Sequence, residues 1–508
     1  RSLGWGSLLL TLLSMLAGMG ALSYCIIFKE YRLALTLSIS AMLIGLAFVN
    51  VRTAIVGTFV YLVFMGDIRR MLIPSVGWSG QDPLLLIGPV FAIVVFAYIW
   101  SGEKVKLNTL LAGWMLALMG VMMLQTLNPR QGSLLVGVAG ALFYLVPILW
   151  YWIGRTYATP AFMKQMLFYV VVPLACLAGA FGLYQLFYGF LPYQEPWLAL
   201  QGPFLLGADG IEKPFSFFAS PTEHDNFLLS GLAILVATLI HTRQYGTLLL
   251  IVPLFITVFL GGSRGPVAKF LVTAAGLWAV VGTNSTTWIV RGLFALVIGV
   301  AGLSWSLASM DMEGPNKRIK FRFERQQSGF APQGESQSAA AHLHMMMLGF
   351  KNGFTRPLGL GLGATTKAAA KYGVAVGGST EVDMSDVFQS TGLIGGIIYL
   401  IIVYLVIRSA FQYWSRTRSL LSLCMAGVLA INFFLWLKGG QYAVSPLVWF
   451  LIGALDRFAN MPTASGTKAT EATPPDENAA PDSPSEPEPP SDSTPSREPT
   501  ASPQPARA

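Results

Sequence analysis

Of the chain's 508 residues, 54% are hydrophobic and only 11% are charged, and the mean hydropathy is +0.59. A soluble domain carries about 25% charged residues, so this composition excludes a soluble enzyme and marks an integral membrane protein. The net charge of +8 is uneven, because residues 461–508 hold eight acidic and three basic side chains and leave the rest strongly basic. Those Lys and Arg residues fall in short loops between apolar stretches. They read as inner-surface anchors and as contacts for an anionic ligand, not as a nucleic-acid surface. Cys25, Cys176 and Cys424 lie far apart inside apolar stretches, with neither a disulfide framework nor zinc spacing.

A membrane span needs about 20 mainly apolar residues. Candidate spans run over 7–28, 33–49, 51–66, 84–100, 107–125, 134–153, 166–190, 226–241, 247–261, 267–282, 288–308, 387–408, 420–437 and 443–456. Several are short, so the expected class is an all-α polytopic membrane protein of about 12–14 transmembrane helices. The first run is long, lacks a small-residue cleavage site and is followed by further spans, so it reads as a span and not as a cleavable signal peptide. With the amino terminus in the cytoplasm, the inner short loops carry the larger share of Lys and Arg. That orientation puts the 191–225 loop, the Gly261–Gly265 turn and the long 309–386 segment on one outer face.

Four regions follow: 1–308 with its outer loop at 191–225, a long outer loop at 309–386 with short helices, spans over 387–458, and a tail at 459–508. The tail is rich in Pro, Ser and Glu without apolar periodicity, so it is expected to be disordered and cytoplasmic. The 191–225 loop carries Tyr193, Trp197, Phe204, Phe215, Phe217 and Phe218. These fit an interfacial aromatic belt or a surface for sugar or lipid. Asp225 or Asn226 is placed to cap the span that follows.

The 309–386 segment opens with Lys317, Arg318, Lys320, Arg322 and Arg325 and closes on Glu381, Asp383 and Asp386. Cations at one end and carboxylates at the other fit an anionic substrate whose reaction also needs a base. Arg264, in Gly261-Gly-Ser-Arg-Gly-Pro266, is the strongest single candidate. Its guanidinium fork matches phosphate oxygens, and Lys213 adds charge from the same face. Glu381, just before a span, is the candidate general base; Asp383 or Asp386 is expected to cap that span's helix. His342 and His344, two apart on a short helix over 339–352, do not share a face, and no metal site is expected. Pro357-Leu-Gly-Leu-Gly-Leu-Gly363 lacks the nucleotide-loop pattern and reads as a tight backbone turn.

Ser263-Arg-Gly265 between spans, the long outer loop, the Pro357–Gly363 run and the closing Gly392-Leu-Ile-Gly395 together resemble the O-antigen ligase and polymerase superfamily of bacterial envelope enzymes. The resemblance covers about 213–396. It implies a helical membrane fold of the glycosyltransferase-C type in the bacterial inner membrane, with an active site facing the periplasm. It also implies transfer of glycan from an undecaprenyl diphosphate carrier to a growing glycan acceptor, without nucleotide, metal or other cofactor, beside flippase or export machinery. Arg264, Lys213, Arg318, Arg322 and Arg325 would then hold the diphosphate. Glu381 would take the acceptor's proton, and His342, Asp383, Asp386, Glu223 and His224 would support the acceptor side. The ligase branch has a histidine eleven positions before Gly392, where this chain has Glu381. It also often has an arginine where His342 stands nearest. Both departures favour the polymerase branch or a divergent enzyme of exopolysaccharide export. A ligase is the alternative within the family, and a transporter or flippase for a lipid-linked or anionic solute is the alternative outside it. A catalytically inactive assembly partner is a third.

Overall fold

In the computed structural model the chain is all-α. The structure describes residues 19–20, 23–102, 107–201, 212–282, 287–309, 317–330, 337–366, 369, 378–379 and 382–461. Its helices are α1 (Tyr31–Val49), α2 (Val51–Met71), α3 (Ile87–Ser101), α4 (Leu110–Thr126), α5 (Leu134–Tyr157), α6 (Pro160–Tyr188), α7 (Pro221–Thr242) and α8 (Leu248–Leu260). They continue with α9 (Arg264–Val281), α10 (Trp288–Ser309), α11 (Lys317–Phe330), α12 (Gln337–Thr355), α13 (Asp383–Thr417), α14 (Leu420–Ile431) and α15 (Val444–Ala459).

Among the described residues, nine helices are long and apolar enough to cross a membrane, and three shorter apolar helices accompany them. This is a multi-pass membrane bundle. The expected 7–28 span lies mostly outside the described residues, as does the tail beyond Met461. The expected 166–190 span begins earlier, at Pro160. A wide π-helical turn over Met166–Val171 joins its two parts, where Pro173 lacks the N–H that a regular turn would use.

The expected 420–437 span is a correction. Its helix stops at Ile431, and the backbone from Asn432 to Ala443 is non-helical yet largely buried. Side chains from other elements make that possible. Asn432 Nδ2 donates to Ser230 Oγ at 2.8 Å. Phe434 sits at φ +73°, and its carbonyl accepts from the Asp383 N–H at 3.1 Å. The N–H groups of Leu437 and Ala443 donate to Asp383 Oδ2 (2.9 Å) and Glu223 Oε1 (2.7 Å). Buried irregular backbone is tolerated only where protein satisfies it.

A second irregularity interlocks with the glycine run. Gly392 breaks α13 at φ +73°, ψ −166°, and the Leu393 N–H donates to the Pro357 carbonyl (3.1 Å). In return, Leu360 and Gly361 donate to the carbonyls of Gln389 and Ser390 at 3.1 and 3.0 Å. The run turns through Gly359 (φ +70°) and Gly361 (φ +101°) and buries Leu360 and Leu362. It is therefore a buried clasp joining α4, α5 and α13, not a free turn at the surface.

The polar groups segregate to the bundle's two ends. At one end Arg155 Nε meets Asp456 at 2.8 Å, and Tyr151 and Thr109 also donate to that carboxylate. This ties α5 to α15, whose backbones approach so closely that a methyl on Gly453 would stand 1.9 Å from the Tyr151 carbonyl. At the other end the 191–225 loop, the Gly261–Gly265 turn and α11 meet. Arg322 donates to the Glu212 carbonyl and Lys213 to Ser263, so the loop, the turn and the α11 part of the 309–386 segment meet at one place.

Most of the loop aromatics are not a surface belt. Trp197, Phe215 and Phe218 are buried around the Arg70 guanidinium, which stands 4.5 Å from the Phe215 ring and 5.0 Å from that of Trp197. A buried cation needs such partners. Arg70 also donates to the Phe218 and Ser216 carbonyls and pairs with Asp67. Phe204 lies outside the described residues. Asp67 in turn accepts from the Tyr193 hydroxyl at 3.0 Å, and burial, then the Asp67 charge, pushes that phenol above its usual range.

Candidate functional site

The basic group forms around the turn from α8 to α9. Gly262 takes φ +80°, a region open to glycine, which lets the chain reverse between the two helices. Ser263 occupies the N-cap position of α9 but makes no capping hydrogen bond; its Oγ instead accepts from Lys213 Nζ at 2.9 Å. The first-turn N–H groups of α9 therefore lack a side-chain cap, and such groups attract anions. Arg264 opens α9 and reaches Ser328 Oγ on α11 at 3.4 Å.

The amphipathic helix α11 covers this turn. Ile319 and Phe323, one helical turn apart, bury themselves with Leu260, Phe259 and Val267. Lys320 and Glu324 stay exposed. Arg322 is only 6% exposed and donates to the Leu260 carbonyl (3.0 Å) as well as to Glu212. Gln326 donates to the carbonyls of Phe259 (2.9 Å) and Ser263 (3.3 Å). These side chains satisfy the open carbonyls at the α8 C-terminus. Of the predicted diphosphate contacts, Lys213, Arg264 and Arg322 meet at one place. Arg325 is half-buried on the same helix, with Arg322 bound to backbone, and the Arg318 side chain lies outside the described atoms.

The acidic group sits against the same turn. A methyl on Gly261 would stand 3.4 Å from Asp225 Oδ1. Asp225 also approaches His224 Nδ1 at 3.4 Å, and His224 is fully buried against Gly182. Glu223 clamps the Ala443 N–H, and Asn226 donates to Gln441 Oε1 at 3.2 Å. Neither Asp225 nor Asn226 caps α7: Ser220 does, accepting from the Glu223 N–H. Alanine at Ser220 is expected to lower stability by about 1 kcal/mol, read as an earlier SDS-unfolding midpoint in mixed micelles. An unchanged midpoint would remove that role.

Asp383 and Asp386 do not cap α13 either, since Val382 holds the cap position without a side-chain bond. Asp383 turns instead to the Leu437 N–H and the Tyr399 hydroxyl, and Asp386 accepts from Ser379 Oγ at 2.8 Å. Glu381, the predicted base, lies outside the described residues. So do the side-chain atoms of His342, although its backbone belongs to α12. Among the described residues, no three His, Cys, Asp or Glu side chains form a metal-holding group.

Sequence reasoning missed Lys269. It lies in the second turn of α9, with Nζ 3.4 Å from Asn226 Oδ1 and within electrostatic reach of Lys438, Asp383 and Asp225. The signal was present, since an ionisable residue inside a span is a functional candidate by default. Lys438, Gln441 and Tyr442 were missed because 420–437 reads as a continuous span. Burial pushes the Tyr442 phenol up to about 12, with Arg69 opposing and Glu223 adding to the shift. Compared with known proteins, the chain matches no family model and no curated protein.

Proposed function

We propose that this protein is an inner-membrane glycosyltransferase that lengthens or transfers a polysaccharide carried on a polyprenyl diphosphate, with its site on the periplasmic face. The observation that supports it most is the uncapped N-terminus of α9 flanked by Lys213 and Arg264. Backbone N–H groups and two cations converge where a diphosphate leaving group would develop charge, and fixed donors of that kind stabilise the transition state more than the ground state. In this reading the acceptor hydroxyl attacks the anomeric carbon of the donor's first sugar, the glycosidic bond to the diphosphate breaks, and Glu381 takes the hydroxyl proton. The configuration inverts. A glycosyltransferase-C-type bundle of the O-antigen ligase and polymerase superfamily fits this arrangement, as does the order of motifs along the chain.

One observation favours a second reading, a flippase for a lipid-linked anion. Such proteins use broken helices and buried ionisable groups near a substrate path; α13 breaks at Gly392, and Asp383 at its start lies within electrostatic reach of Lys269. The two are separated by supplying purified protein in lipid with a polyprenyl-diphosphate oligosaccharide, with EDTA throughout. A ladder of longer glycans, lost in Glu381→Gln, is the expected result for a polymerase. A single added block on a distinct acceptor marks a ligase. No product, together with movement of the lipid-linked sugar across the bilayer, replaces the enzyme with the flippase.

A further inference from the structure

A cleft of about 380 Å³ runs between α2, α3, α5 and α15 and shares no lining residue with the basic group at the α9 N-terminus. Its wall on α5 extends from Ala139 to Trp150. That is about 16 Å at 1.5 Å per residue, close to half the depth of a ~30 Å hydrocarbon core. The wall is aliphatic and aromatic, and Leu86 on the rim is 41% exposed, so the cleft opens sideways on the lipid-facing surface.

The other end is polar and cationic. Asp82, Lys438 and Gln441 line it. Asp82 is shared between Arg32 and Arg69, which leaves one positive charge over. Among the described residues Lys438 makes no hydrogen bond and no ion pair. Gln441 accepts from Asn226, which accepts from Lys269, so a second lysine is wired to the cleft through two amides. Asp225 and Asp383 act on these lysines from inside the bundle, but neither lines the cleft. The one carboxylate that lines the cleft, Asp82, is taken up by two arginines, so Lys438 meets no available anion within the cleft itself.

We propose that this cleft holds a membrane lipid phosphate, with one hydrocarbon chain lying along α5 and the phosphate oxygens on Lys438. The shape selects the chain and the cations select the head. A neutral lipid would bring no anion to Lys438 inside the cleft, and free phosphate would leave the apolar channel unfilled. This site stands apart from the transferase reading and holds whether or not that reading does.

The test uses dodecyl phosphate carrying a diazirine at its chain end, irradiated with the purified full chain in neutral detergent, with crosslinks mapped by peptide mass spectrometry. Label is expected on the α5 segment between Leu142 and Trp150. Lys438→Gln should lower it about tenfold, as for loss of a charge-assisted contact, and Lys438→Arg should restore it. Ala139→Trp, a filling substitution at a half-buried wall position, should remove it without touching the cations. The proposal is overturned if Lys438→Gln labels like the unchanged protein, or if the matching alcohol labels as well as the phosphate. Equal blocking by inorganic phosphate and by unlabelled dodecyl phosphate would also overturn it.

Discussion

Alanine at Gly392 is expected to destabilise the bundle by about 4 kcal/mol or more, an exceptional loss for a single substitution that overpacking and backbone strain together can reach. Two independent costs combine there. The native φ of +73° is one that L-residues adopt only at a penalty. In addition, the new methyl would stand 2.1 Å from the Pro357 carbonyl oxygen and 2.6 Å from the Gly359 nitrogen. Both obstacles are backbone, so no side-chain rotation relieves them, and moving either segment breaks the hydrogen bonds that join the glycine run to α13. The measurement is the SDS-unfolding midpoint and the yield of monodisperse protein. Gly276→Ala is the control, because no atom lies within 4 Å of a methyl placed there and alanine favours a helix. A folded Gly392→Ala protein with the control's midpoint would show that the clasp is not required.

Arg264→Ala is expected to reduce glycan transfer by about 10²–10³, the usual loss on removing one preorganised donor to developing charge. Its stability should barely change, because Arg264 is partly exposed and its side chain makes only a long hydrogen bond, to Ser328 at 3.4 Å. Arg264→Lys keeps the charge without the planar fork and should recover only part of the rate. Lys213→Ala should cost less, since Ser263 would still present the helix N-terminus. Initial rates with saturating donor separate these outcomes. Full activity in Arg264→Ala would exclude the α9 N-terminus as the diphosphate site, whereas loss of folded protein would mark the residue as structural.

Much of the bundle was legible because apolar length is the dominant signal in a membrane chain. The helices around residues 31–66, 134–157 and 221–242 lie close to where hydropathy puts them. Hydropathy failed where the interior is apolar but not helical. Phe433 to Leu437 reads like a continuing span, and its backbone leaves the helix because distant groups satisfy it: the Asp383 carboxylate and N–H, and the Ser445 and Trp449 side chains, which donate to the Trp436 carbonyl. The basic turn was legible through Gly261-Gly-Ser-Arg, whereas the site of Lys269 required knowing that Asn226 and Gln441 stand beside it. Capping assignments failed for a local reason. Asp383 and Asp225 had the right chemistry for caps, but tertiary partners had a stronger claim on both.

The seam between α5 and α15 sets a timetable for biosynthesis. Tyr151 and the Asp456 carboxylate it meets are 305 positions apart. At roughly 5–20 residues per second, α5 waits for the better part of a minute, within a factor of two or so, before its partner helix leaves the ribosome. Through that interval Gly154, which lies against the Phe450 backbone of α15 in the folded chain, and the Arg155 cation face lipid or the insertion machinery. This seam is consequently closed late, against helices already threaded into the bilayer.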